Sequence, residues 1–459
     1  MKLQFGPFLV ILALLSARLA WSQAGSSDSS QSGSAESSQQ QQASDGPQPV
    51  FTHPEERPPL AMLDEVTAHS FINVGLGATV AWDSNANSFG YPGYSQTVFI
   101  ATPSFQLRQT RPTFTWYVGA ESSLQASDGQ GYYRTSNPVA SAGFIYQLSR
   151  RWQLYANDHY IYSADLFQQY SVYSGAPSYN QPNPTVYVPL ATTEANYGSL
   201  NLTYQMSAHD SLTFTGTENF TRYLHTTYSA NNVYSWGGAA SYQHLFSARV
   251  SAGGGYSFTS LDFGHGQSRS GIQQFQFFAS YRLNPHMSVR GWIGPEYTVT
   301  KNLVPIFCDP YGCFIEVRHD KSWSTGFGGN FGWSGQRNAA VFGFSRSITN
   351  GGLLLGITQA YQVNGNFSRQ LSPRWSFNLG GLYGNNTGYS TRLHAQHLTS
   401  FTGSTGFSRQ LTPTLSASLQ YIRIHENQQH VILGLAAPTW TDNRVQFTLH
   451  YDWSHSLGR

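Results

Sequence analysis

From Phe71 to Trp453 the chain alternates with period two, and short turns of nearly one recipe break the alternation at intervals. Ile72, Val74, Leu76, Ala78, Val80 and Trp82 make one face of the first run, and Asn73, Gly75, Gly77 and Thr79 make the other. The last run repeats the scheme, with Val445, Phe447, Leu449, Tyr451 and Trp453 set against Gln446, Thr448, His450 and Asp452. The clearest turns lie in 146–152, 204–212, 281–287, 367–375 and 407–415, where an aromatic residue precedes a few residues of Ser, Asn, Pro or a charge. Weaker members lie at 109–112, 245–248 and 334–338.

Between short turns the chain makes longer polar excursions, such as Asp83 to Gln96, Phe167 to Thr192, Lys301 to Asp320 and Glu426 to Asn443. Ser178 and Asn386 also fall on connections of this kind. Short turns on one side and long loops on the other is the asymmetry of a transmembrane antiparallel up-and-down β-barrel, with turns periplasmic and loops extracellular. Eight turns join sixteen strands, and the first and last runs add two. The expectation is an all-β barrel of eighteen strands, or sixteen if one weak pair is a loop.

Composition supports a barrel over a string of soluble domains. Charged residues make up 10% of the 459 residues and aromatics 15%, whereas soluble domains carry about a quarter charged residues. A propeller or solenoid would need more charge outside and would not alternate short and long connections. The net charge of +2 gives no reason to expect nucleic acid as a partner.

Three segments are expected. Residues 1–24 read as a signal peptide, with Lys2 ahead of an apolar core from Phe8 to Leu15 and small residues ending at Ala24. Residues 25–68 are rich in Ser, Gln and Pro and read as a disordered periplasmic tail. Residues 69–459 form the barrel.

The face opposite the lipid-facing register lines a lumen. It holds Gln106, Arg108, Glu121, Gln153, His159, Asn201, Gln274, Arg282, Arg290, Glu296, Asn330, Asn364 and His450. Both charge signs occur and neither forms a run, so no strongly ion-selective ring is expected. Tyr117, Tyr155, Phe278 and Trp292 also fall inward; they either fill space opposite inward glycines or line up as a sugar-stacking track. Asp158 and Glu218 fall in the lipid-facing register, where a carboxylate is costly; a bulge or a subunit contact would relieve it.

Cys308 and Cys313, in Cys-Asp-Pro-Tyr-Gly-Cys, suit a disulfide closing a small exported loop better than a metal site. No Gly-x-Ser-x-Gly, His-Glu-x-x-His or phosphate loop occurs. Neither an enzyme, nor a cofactor, nor a metal is expected.

The turn pattern, aromatic-x-x-x-Leu-Ser-Pro-x-Trp/Leu, resembles that of large bacterial outer-membrane barrels of the β-barrel porin type, over about Phe71 to Trp453. Some of those are associated with exopolysaccharide export. The resemblance implies an outer-membrane location in a Gram-negative-type cell, contact with outer-membrane lipid, insertion by the barrel-assembly machinery, and a homo-oligomer as one option. The leading expectation is a channel for small hydrophilic solutes. The alternatives are a polysaccharide export conduit and a surface scaffold or adhesin.

Overall fold

The structure is a computed structural model. It describes residues 70–85, 95–127, 134–163, 192–224, 232–264, 268–309, 312–350, 357–388, 397–429 and 439–457. Within these, only the backbone is described at 134–135, 302–309, 312–315 and 428–429. Among the described residues no helix is long and apolar enough to cross a membrane.

Eighteen strands follow one another: β1 (Phe71–Asp83), β2 (Gln96–Thr110), β3 (Phe114–Ser127), β4 (Arg134–Gln147), β5 (Trp152–Ser163) and β6 (Thr193–Gln205). Next come β7 (Asp210–Tyr223), β8 (Val233–Ser247), β9 (Val250–Phe263), β10 (Ser268–Asn284), β11 (Met287–Asp309) and β12 (Gly312–Ser334). The last six are β13 (Asn338–Asn350), β14 (Ile357–Ser372), β15 (Trp375–Gly388), β16 (His397–Gln410), β17 (Leu415–Gln429) and β18 (Trp440–Ser456). Each pairs antiparallel with its neighbours in sequence, and β1 pairs with both β2 and β18, which closes the sheet into a barrel. The count of eighteen removes the sixteen-strand alternative.

A closed barrel is what period-two sequence demands in lipid, because every backbone group finds a partner within the wall. The large apolar residues stand outward: Val445, Phe447, Leu449, Tyr451 and Trp453 on β18 are all exposed, as are Val74, Leu76, Val80 and Trp82 on β1. Aromatic pairs mark both rims. Trp152 stacks on Tyr204 at 4.4 Å near the short-turn end, and Tyr297 meets Trp323 at 4.7 Å toward the other end.

The recurring turn has a local explanation. In five turns a hydroxyl two or three residues before the next strand accepts its leading N–H groups: Ser149 from Arg151 and Trp152, Ser207 from His209 and Asp210, Ser247 from Arg249 and Val250, Ser372 from Arg374 and Trp375, Thr412 from Thr414 and Leu415. In three of them the Gln two positions earlier donates to the turn carbonyl: Gln147 to Ser149, Gln205 to Ser207 and Gln410 to Thr412 at 2.5, 2.6 and 2.7 Å. The repeated Gln-x-Ser/Thr is therefore a hydrogen-bonding unit that ends one strand and starts the next.

Three expectations about connections need correction. Lys301 to Asp320 is no loop: β11 and β12 run on as a long hairpin, paired from Met287↔Trp333 to Asp309↔Gly312. Strand also extends into both ends of the stretch from Glu426 to Asn443, through Gln429 and again from Trp440. Asn386 lies in β15, fully buried, not in an outer connection. Ser178 lies outside the described residues.

Candidate transport lumen

Inward residues mix polar, small and apolar side chains, and their exposure changes along the barrel axis. Toward the short-turn end Gln106, Arg108, Arg282 and Asn378 point inward and are exposed. Toward the long-connection end the inward residues are packed: Asp83, Asn137, Gln274, Glu296, Asn386, Asp442 and Arg444 are all at most 4% exposed. The interior is open toward the short turns and narrows toward the long connections, where these polar side chains pack with apolar ones such as Ile161, Leu261, Leu398 and Ile424.

The expected lumen residues stand on the face opposite the exposed large apolar side chains, at different levels. Arg108 pairs across to Tyr117, and Glu121 to Ser104. Tyr155 faces Asn201, and His159 faces Tyr197, on β6. His450 leans over the glycines of β1, since a Cβ at Gly77 would lie 3.4 Å from its Nδ1, and its Nε2 is 2.9 Å from Asp452. Arg290 stands 5.9 Å from the Phe278 ring centre. Glu296 accepts from Gln274 at 3.1 Å and from Ser324 at 2.9 Å, forming a buried, hydrogen-bonded carboxylate in the wall. Arg282 stands apart, near the turn.

Three of the four inward aromatics cover glycines on the next strand. Added Cβ atoms at Gly143, Gly253 and Gly328 would come within 2.7 Å of Tyr117, 2.6 Å of Phe278 and 2.7 Å of Trp292. Each ring lies flat against the wall where a side chain is missing.

Sequence reasoning missed two features. One is a charge cluster at the closing seam: Arg444 pairs with Asp83 at 3.1 Å, with side chains 5% and 4% exposed, and Asp442 accepts from the Asn85 N–H at 3.1 Å. Setting the first and last strands in register would have exposed it, because Asp83 falls opposite Arg444. The other is the far end of the β13–β14 hairpin. Residues 347–350 are buried on both faces, and Ile348 and Ile357 belong to one apolar cluster with Val233, Leu261, Phe263 and Ile272 of β8, β9 and β10. Those strands lie three to five places from β13 around the wall, and the cluster residues stand on the face opposite their exposed aromatics. The hairpin end therefore folds inward and narrows the lumen.

Asp158 and Glu218 face outward, for the ladders β4–β5 through β7–β8 run unshifted past them and leave no bulge to turn them in. Asp158 accepts from Asn196 at 3.0 Å, and Glu218 lies between Gly198 and Trp236 on the neighbouring strands. Cys308 and Cys313 are register partners across β11–β12, but their side chains, and with them the disulfide, lie outside the described residues. Among the described residues no group of three or more His, Cys, Asp or Glu could hold a metal.

No family model matches the chain, and no curated protein matches it. Solved structures do. OccAB4 of Acinetobacter baumannii is 11% identical, with 88% of this chain and 100% of that one covered at a TM-score of 0.40. OpdK of Pseudomonas aeruginosa, solved with vanillate, is 9% identical, with 84% and 99% covered at 0.43. The ferric citrate transporter FecA is 11% identical, with 78% and 60% covered at 0.43. The chain shares with them the architecture of a large β-barrel, here of eighteen antiparallel strands, closed and up-and-down.

Proposed function

We propose that this chain is an outer-membrane channel for small hydrophilic solutes, exported by residues 1–24 and carrying 25–68 as a periplasmic tail. One observation carries the reading: a closed wall, apolar outside, encloses an interior whose polar residues are exposed toward the short turns and which narrows toward the long connections. Barrels of sixteen or more strands leave an aqueous interior. The narrowing, built from Glu296, Gln274, Asp442, Arg444 and the inward hairpin end, mixes both charge signs. It selects by size and hydrogen bonding more than by net charge.

The polysaccharide-conduit alternative needs aromatics aligned as a track. Tyr117, Phe278 and Trp292 instead lie against glycines on neighbouring strands, which favours the small-solute reading. Transport, not catalysis, is the proposed activity. Single-channel recording of the full chain in planar bilayers tests it: steady openings with weak ion preference support the channel, and a barrel that folds but never conducts refutes it.

A further inference from the structure

The β12–β13 ladder is incomplete. It runs from Ser334↔Ala339 to Phe327↔Arg346 and stops, although β12 continues to Gly312 and β13 to Asn350. Beyond that point β13 has turned inward, and among the described residues no strand pairs with that edge of β12. The height of the break matters. From Trp333 the six residues to Phe327 climb about 15 Å, and four more to Trp323 reach about 25 Å, at ~3.3 Å per residue and ~40° of tilt. The apolar band is itself about 25 Å tall. The free edge therefore begins inside the band.

Lipid does not tolerate an unpaired sheet edge; such backbone survives only where it lines a water-filled cavity. Alternate residues of a strand present N–H and C=O to the same edge. Arg346 Nη1 donates to the Thr325 carbonyl, so Thr325 and Trp323 face the gap. That one guanidinium caps one backbone group, while its Nε donates to the Tyr361 hydroxyl at 2.7 Å. The groups left over need water, and the interior behind the seam can supply it.

The outward chemistry around the gap is one-sided. The sequence contains only three lysines, Lys2, Lys301 and Lys321. Two of them stand outward above the break, with Lys321 one outward position beyond Trp323 on the free strand. Arg346 is the lower lip. No acidic residue shares the outward register of β11, β12 or β13 among the described side chains. Trp323, 70% exposed, and Phe327 provide apolar surface between the cations.

We propose that the β12–β13 seam is a lateral portal through which an anionic single-chain amphiphile passes between the lumen and the outer half of the bilayer. Its head group meets Lys321 at the outer end of the gap and passes Arg346 lower down on its way to the lumen, while its alkyl chain lies along Trp323 and Phe327. This goes beyond a pore for hydrophilic solutes, because the route crosses the wall.

The test uses the purified full chain in zwitterionic detergent with dansyl-undecanoic acid as the probe. Saturable dansyl fluorescence is expected, with affinity about tenfold lower in Lys321→Ala and close to the parent in Lys321→Arg. Thr325→Cys with Ile348→Cys places thiols at the pair two steps beyond the last ladder pair. Oxidation should zip the seam and remove binding, and reduction should restore it. Attaching a bulky maleimide to Thr325→Cys alone blocks the same gap where the disulfide does not form. Planar-bilayer conductance of the blocked protein should persist, which separates loss of the portal from failure of the channel itself. The proposal is overturned if the parent shows no saturable binding, or if blocked and open seams bind alike, which would mark an external lipid contact only.

Discussion

Between β1 and β18, where the chain's two ends meet, thirteen residue pairs run unbroken from Phe71↔Ser456 to Asp83↔Arg444. Between β12 and β13, joined by the turn at 335–337, eight pairs form and the ladder then parts. The longer seam is the one with no covalent link nearby. Its closure orders a loop of hundreds of residues, and that entropy must be offset by contacts made at the seam itself. A tight turn holds β12 and β13 in register with few ladder bonds, so their far ends are free to separate. The closing seam also carries the buried Arg444–Asp83 pair and a Thr79–Thr448 hydroxyl contact of 2.8 Å. At the parting seam a single outward arginine bridges the strands.

The largest effect should come from Arg444→Ala. It leaves Asp83 and Asp442 buried without their cation, and breaking a buried pair from one side costs about 3–5 kcal/mol. Denaturant titration in detergent should show that loss, and a midpoint unchanged from the parent would mean the closing seam draws nothing from its ion pair. Next comes the facing of β18. Leu449→Lys puts a charge on the lipid side and should cost about 2–4 kcal/mol near the midplane. Thr448→Lys points into the lumen and should fold nearly as well while shifting conductance toward anions. A larger loss at Thr448 than at Leu449 would place the β18 register one residue out.

Much of this was legible in the sequence, for a physical reason. Within a bilayer every second residue meets lipid, so Val445 to Trp453 and Ile72 to Trp82 reveal strand and facing together. The turns were legible because Ser149, Ser207 and Ser372 perform the same hydrogen-bonding task each time. Legibility ended where the two-sided environment ended. Lys301 to Asp320 continues as strand beyond the aromatic rim, where alternation has no two-sided environment to cause it; its polar make-up and the turn chemistry of Cys-Asp-Pro-Tyr-Gly-Cys made it read as loop. Ser347 to Asn350 failed in the opposite way. It alternates like a wall strand, but its partners Val233 and Leu261 lie far off in sequence, and nothing local says that β13 leaves β12.

At the parting seam the effect should be smaller and local. Ile348→Val trims one methyl group from the apolar cluster that holds the hairpin end inward, a change of about 0.5–1.5 kcal/mol. Hydrogen exchange should accelerate at 347–350 and 357–360, by about tenfold for each 1.4 kcal/mol. The ladder from Phe327↔Arg346 downward should keep its protection. Acceleration spread evenly over β12, β13 and β14 would show that the hairpin end does not open as a separate unit.

The smallest effect separates ladder from side chains at the closing seam. Thr79 and Thr448 face each other across β1 and β18 with hydroxyls in contact inside the lumen. Valine keeps the branched shape and the strand preference of threonine but removes the hydroxyl, so Thr79→Val and Thr448→Val leave packing nearly intact. Cross-strand pairs of this kind contribute about 0.2–1 kcal/mol, and water in the lumen can replace a lost partner, so the lower end of that range is expected. The two single variants and the double variant form a cycle whose coupling isolates the contact. A coupling of a few tenths of a kcal/mol leaves the strength of the seam with its thirteen-pair ladder and the Arg444–Asp83 pair. A coupling well above 1 kcal/mol would instead mean that the hydroxyls sit away from water, and the lumen at that level would be packed, not wet.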